Sequence, residues 1–320
     1  MWNLSFTPPH VIQARVLTRL PEAFRKPRRN DWADANKPGE AIASFLEGPT
    51  FDREGRLYVC DIPYGRIFRI SADLEWTLVA EYDGWPNGTA LHRDGSLWIA
   101  DYRRGLLKLS SPARASATVG DLIPVLSHRN SESFRGVNDL TFDAQGRCYF
   151  TDQGQTGLHD PSGRVYRFSP SPSGEGRGEG RLELLVAGIP SPNGVVLGPT
   201  GRVLFIAVTR ANQVWRCPIL ADGSVAKVGA FRTFFGTSGP DGMAVDVDHR
   251  LVVAHASLGG AFVLNARGEV THFVKSPEGS TVTNVAYRPG TSKLVMTESE
   301  TGTILEADLP AMGAPLYSHA

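Results

Sequence analysis

Six segments of this chain begin on a polar side chain and continue in the same pattern. They are EGPTFDREGRLYV (47–59), NGTALHRDGSLWI (87–99), NDLTFDAQGRCYF (138–150), NGVVLGPTGRVLF (193–205), DGMAVDVDHRLVV (241–253) and TNVAYRPGTSKLV (283–295). The leading residues are Glu47, Asn87, Asn138, Asn193, Asp241 and Thr283. Five of these six positions carry a carboxylate or an amide. If equivalent positions meet in space, Glu47, Asn138, Asn193 and Asp241 supply two carboxylates and two amide oxygens. That set suits a hard divalent cation. Without the cation, two carboxylates held together would repel, and one would tend to take up a proton. No His or Cys stands in the column, which argues against a structural zinc site with sulfur and imidazole ligands. Taken singly, PNG and PDG are ordinary turn signals. Recurrence at equivalent places is what gives the column meaning.

An element must bring these positions together. Within each unit the apolar period is two, which is a strand pattern. In the first unit GPTFD alternates, REG turns, RLYVCD forms a second strand, RIFRIS a third and TLVAEY a fourth. The units start about 40 to 55 residues apart, the spacing of propeller blades. The expectation is an all-β chain, a six-bladed β-propeller of four-stranded antiparallel blades. Residues 1–45 form an N-terminal wrap, and residues 46–320 form a single propeller domain. The sixth unit lacks an outer strand. Either PLYSH near the C-terminus or the β-prone stretch Val11–Leu20 supplies it and removes the open sheet edge. In such a ring the innermost strands line the channel, so their first residues circle one mouth.

Two insertions interrupt the regularity. Residues 169–180, SPSPSGEGRGEG, read as a mobile low-complexity turn. Residues 153–164 lengthen a connection in the third unit, and long loops in compact folds often carry function. Loops at the column's mouth offer Trp85, Tyr64, Tyr102, Gln153, His159, Arg210 and His255 as substrate contacts, with Asn87 beside them. Asp61, Asp101 and Asp152 end second strands and read as blade-turn hydrogen bonders. Ser257 near His255 does not make a serine hydrolase, since no G-x-S-x-G elbow occurs.

Composition narrows the classes. Lys+Arg and Asp+Glu number 33 each, so no general nucleic-acid or anionic-membrane partner is expected. No apolar run reaches the roughly 20 residues that span a bilayer. The N-terminus shows no compact signal-peptide core. Cys60, Cys148 and Cys217 fall in strands as apolar filler, compatible with the cytoplasm.

EGP (47–49), ND (138–139), PNG (192–194) and PDGMAVD (240–246), in this order, resemble the senescence marker protein/gluconolactonase family over roughly residues 45–310. The layout is also similar to that of diisopropyl fluorophosphatase. The resemblance implies a propeller with one catalytic divalent metal, Ca²⁺ first, with Zn²⁺ or Mn²⁺ as alternatives. It implies that Glu47, Asn193 and Asp241 are metal ligands, and that Asn138 contacts metal or substrate. Arg135 resembles the family's substrate-binding arginine, standing three residues before Asn138 rather than two. The expected activity is opening of a small sugar-type or aliphatic lactone by metal-activated water, with Asp241 as general base. Asn87, Asn138, Arg135, Trp85, Tyr102, His159 and His255 are the expected substrate contacts. Phosphotriester or aryl-ester hydrolysis at the same metal is one alternative. A binding scaffold around a structural ion is another, although WD and kelch signatures are absent.

Overall fold

The alternating pattern of each unit buries one face against the next unit, and the computed structural model shows the result as a ring. It describes residues 8–110, 112, 122–171 and 180–319. Six antiparallel sheets stand around a central channel, each led by an innermost strand. These strands are Leu46–Phe51, Pro86–Leu91, Val137–Phe142, Pro192–Leu197, Pro240–Val245 and Val282–Tyr287. Each neighbours the next, and the last returns to the first. Blade one continues outward through Leu57–Asp61, Arg66–Ile70 and Trp76–Glu81. Between blades lie apolar seams, such as the one in which Tyr58, Ile67 and Val79 of blade one meet Leu91, Leu97 and Leu107 of blade two. Residues 172–179, within the low-complexity insertion, lie outside the described residues.

The N-terminal chain closes the ring. Arg15–Arg19 pairs antiparallel with Thr303–Asp308 as the outer strand of blade six. The β-prone stretch at Val11–Leu20 is two strands rather than one. The preceding piece, His10–Gln13, runs parallel to Val270–Lys275 and adds a fifth strand to blade five. Leu20 then inserts between blades six and one, touching the cluster of Leu46, Phe51, Val59 and Ile304, and is 1% exposed. Residues 21–45 cross toward the first blades, with a short helix at Asp31–Asn36 capped by the Asn30 side chain. The helix lays Trp32 against Phe45, with Ile62 and Trp85 in the same cluster. The polar, turn-rich composition of this stretch did not predict a helix. Its stability comes from Trp32 and Ala33, both buried, rather than from length.

PLYSH has a different role. The segment 309–319 crosses the far end of the channel. Ala314 N–H donates to Val245 O (3.0 Å), and Tyr317 lies against His92 and Phe142. Arg53 Nε donates to Ser318 O (2.7 Å). Between this segment and the inner strands remains a cavity of about 670 Å³, reached by Asp139 and Asn284 from the upper end.

Closure by Leu20 gives a test. Leu20→Ala should cost roughly 2–5 kcal/mol by leaving a void between the first and last blades. Guanidinium unfolding of the variant measures this, and an unchanged midpoint would show that the wrap is not part of the cooperative fold.

Candidate metal and substrate site

The column forms because every inner strand is irregular at its start. In all six blades the pairing with the second strand slips by one extra residue just after the strand begins. Glu47 faces Cys60 whereas Thr50 faces Tyr58. The same slip separates Pro86 from Thr89, Val137 from Leu140, Pro192 from Val195, Pro240 from Met243 and Val282 from Asn284. A bulge re-aims side chains that a regular strand would send to alternate faces. Here it turns the column residues inward at one mouth.

Glu47 is buried, and its Oε2 accepts from Gly48 N–H (2.7 Å) and Asn284 Nδ2 (2.8 Å). Burial pushes its carboxyl up to about 8, against those two hydrogen bonds and helped by the charge of Asp139. Asp241 is also buried. Burial first, then the charges of Glu47 and Asp139, hold its carboxyl well above the usual range; a hydrogen bond from Asn193 and the charge of Arg210 act the other way. Glu47, Asn193 and Asp241 therefore share one electrostatic site.

Asn138, the column residue of blade three, is held by a relay to Ser191 at the start of blade four. Its Nδ2 donates to Gln153 Oε1 (3.1 Å), and Gln153 Nε2 donates to Ser191 Oγ (3.0 Å). Thr156, on the same loop, donates to Gln153 O (2.6 Å) and accepts from Ser191 N–H (2.9 Å). With its nitrogen committed, Asn138 keeps Oδ1 as a buried acceptor that no protein donor meets. Asp241 Oδ1 is the second such atom in the column. A buried acceptor without a partner is costly. Two of them beside raised carboxylates fit a hard cation with oxygen ligands. Among the described residues no three Cys, His, Asp or Glu side chains gather as a ligand cluster by themselves. The amides of Asn138 and Asn193 have to complete the set.

Two residues in the site carry no role in the sequence pattern: Asp139 and Asn284. They occupy the position after the column, where the other four blades have Gly48, Gly88, Gly194 and Gly242. A Cβ on Gly88 would collide with Asp139 Oδ1, and one on Gly242 with the Asn284 amide. The glycines vacate the channel so that two side chains can fill it. That alternation was the available signal. Asp139 accepts from Leu140 N–H (2.8 Å) and Val195 N–H (3.2 Å), and burial pushes its carboxyl up to about 7. Asn284 fixes Glu47. Thr283 donates to Leu46 O (2.8 Å) and ties blade six to blade one.

The rim is uneven. Trp85 leans on Tyr102 (5.7 Å between rings), with the Arg103 guanidinium over its face (5.4 Å). Asn87 is half-buried at the same edge. Arg135 donates its backbone N–H to Asp152 Oδ1 (2.7 Å), and its side chain reaches within 3.8 Å of Asp160. His159 is exposed on the loop beside Gly157. Tyr64 is not at the rim: it lies under the wrap and donates to Ile42 O (2.6 Å). Nor is His255, which from sequence is expected to touch substrate. Its side chain is fully buried between Phe234 (5.8 Å) and Phe262 (6.0 Å), and Nε2 lies 3.3 Å from Asn212 Oδ1. Burial lowers its pKa to about 4, so it stays neutral. Asp61, Asp101 and Asp152 accept backbone N–H groups of Phe45, of Arg103 and Arg104, and of Arg135 and Gly136 respectively. His255 ends its strand as those aspartates do, with its ring enclosed by Phe234 and Phe262.

Two tests follow from this geometry. Gln153→Leu removes the relay while leaving the column intact, and should weaken divalent-ion binding by roughly 10- to 100-fold in calorimetry. The second concerns pH. Glu47 binds its proton up to about 8 in the folded chain but has an ordinary value of 4.5, so the fold holds more protons and loses stability as pH rises. His255 acts oppositely, but only below its ordinary 6.5. The melting point of chelator-treated protein should therefore fall between pH 6.5 and 8, and added Ca²⁺ should abolish the fall. A flat profile without metal would contradict the buried carboxylate set.

Similarity to known proteins agrees with the geometry. Residues 45–300 match the model of the SMP-30/gluconolactonase/LRE-like region. The lactonase drp35 of Staphylococcus aureus strain USA300 is 28% identical over 280 residues, covering 84% of this chain and 82% of its own. A gluconolactonase from Xanthomonas campestris superposes with a TM-score of 0.70 at 19% identity, covering 92% of this chain and 99% of that one. Regucalcin from Agrobacterium tumefaciens, a calcium-binding protein, gives 0.71 at 20% identity, with 96% and 99% coverage. Those two share the fold. The family match spans most of the chain, and this protein belongs to the SMP-30/gluconolactonase/LRE-like family.

Proposed function

We propose that the chain is a hydrolase that opens a small lactone, working with one divalent cation held by Glu47, Asn138, Asn193 and Asp241. The observation that carries this is the pair of unpartnered buried acceptors, Asp241 Oδ1 and Asn138 Oδ1, set among raised carboxylates at the channel mouth. Family membership and the lactonase relatives support the reaction class. Ca²⁺ is the first choice because every donor is oxygen; the calcium-binding structural neighbour supports it, and Zn²⁺ or Mn²⁺ would also fit. When bound, the cation would supply Lewis acidity toward the lactone carbonyl and make water more acidic.

The chain's own residues supply the rest. Asp241 removes the proton from the attacking water, with Asn193 holding the carboxylate in place. Glu47, anchored by Asn284, holds the site's second negative charge. Asn138, oriented by Gln153, presents its oxygen toward the same centre. Asn87, Arg135, Trp85, Tyr102 and His159 are the rim groups available to substrate. The segment 309–319 crosses the far end of the channel, so substrate enters at the column's mouth. The three buried free cysteines support a reducing compartment, the cytoplasm.

Acid release from a panel of five- and six-membered lactones, aliphatic and sugar-type, tests the reading. Turnover should vanish with chelator and return with Ca²⁺, Zn²⁺ or Mn²⁺. Asp241→Asn should lower kcat by roughly 10²- to 10⁴-fold. Undiminished turnover by that variant would sink the assignment. A panel answered only by phosphotriesters would keep the metal and replace the substrate.

A further inference from the structure

The rim arginines differ in one respect. Arg103 is 2.9 Å from Asp83, Arg164 is 2.9 Å from Glu132, and Arg135 is 3.8 Å from Asp160. Arg210 has no carboxylate partner and no side-chain hydrogen bond among the described residues. It is also well placed. It sits in the single 3-10 turn Thr209–Ala211 after the second strand of blade four. Thr209 Oγ1 donates to Pro240 O (2.8 Å), the carbonyl directly before Asp241, and Thr209 N–H donates to Ser191 O (3.0 Å). The turn is thereby bolted to the bulges of blades four and five. The Arg210 stem lies beside Gly157 of the loop 153–160, next to His159. That loop is itself fixed by the Gln153 and Thr156 hydrogen bonds. An exposed guanidinium on a pinned backbone, where Arg103, Arg135 and Arg164 each have a carboxylate beside them, is a planar fork awaiting a carboxylate.

We propose that Arg210 is a specificity-determining residue, which receives a carboxylate carried by the substrate in addition to its lactone ring. This rests on the lactonase reading above and narrows its substrate to carboxyl-bearing lactones. Thr209, next to Arg210, is tied at 2.8 Å to the carbonyl of Pro240, which precedes Asp241, so an anion docked on the guanidinium lies on the side of the reacting centre. The arrangement also lets the aromatic edge at Trp85 and Tyr102 take the uncharged side of a ring. A neutral sugar lactone offers the fork only hydroxyl groups, a weaker match than a bidentate carboxylate.

The experiment compares γ-butyrolactone with the same ring bearing a carboxylate next to the ring oxygen, in the metal-loaded full chain. Wild type should favour the carboxylated ring in kcat/KM. Arg210→Ala should lower that preference by about 10- to 100-fold. Arg210→Lys should recover part of it, since the charge remains and the fork is lost. The ratio cancels any effect on Asp241, because both substrates use the same base. Equal kcat/KM for the two rings in wild type, or a preference that survives Arg210→Ala, would overturn the proposal. Calorimetry with tetrahydrofuran-2-carboxylate, which cannot be opened, separates the two failures. Binding that depends on Arg210 without lactone turnover would uphold the anion site and reject the lactonase reading. Turnover of lactones without Arg210-dependent binding would do the reverse.

Discussion

One extra residue near the start of each inner strand is the constraint on which this structure turns. A regular strand alternates its side chains, so adjacent residues cannot both serve one channel. The six bulges break that rule at the same height, and the column faces the mouth with its successor beneath it. Two layers result. The upper has Glu47, Asn138, Asn193 and Asp241; the lower has only Asp139 and Asn284, because glycine empties the other four places. Arg15–Arg19 with Leu20 closes the ring that carries them.

The electrostatics follow from that packing. Three carboxylates lie in a mouth from which water is largely removed, and burial is the main reason that each carboxyl is raised. Such an arrangement is unfavourable as a purely structural one. It is relieved by protons or by a cation, and the amide oxygens turned the same way favour a cation. The surrounding hydrogen bonds point to the same end. Asn284 holds Glu47, Asn193 holds Asp241, and the loop relay through Gln153 holds Asn138.

Fold and site were unequally legible in the sequence. The period of two, the turn residues and the recurring spacing determine six blades, because each strand must bury one face and each turn needs its Gly, Asp or Asn. The column was visible for the same reason: a repeat makes equivalent positions comparable. Residues that act through neighbours were not. His255 and Asp152 both end a second strand, and nothing local says that one is enclosed by Phe234 and Phe262 while the other pins a loop.

The sequence by itself therefore determined the architecture and which residue types collect at one height. Tertiary structure decided the rest. It chose the N-terminal stretch over PLYSH for closure, because Leu20 finds a seam between blades six and one while 309–319 spans the channel base. It brought Asp139 and Asn284 to the site and took Tyr64 and His255 away from the rim. It left Arg210 without a carboxylate, while Arg103, Arg135 and Arg164 each have one alongside. The physical reason is common to all of these. Periodicity reports which face a strand buries, whereas a side chain's partners depend on bulges, inter-blade contacts and loop hydrogen bonds formed by residues far apart in the chain.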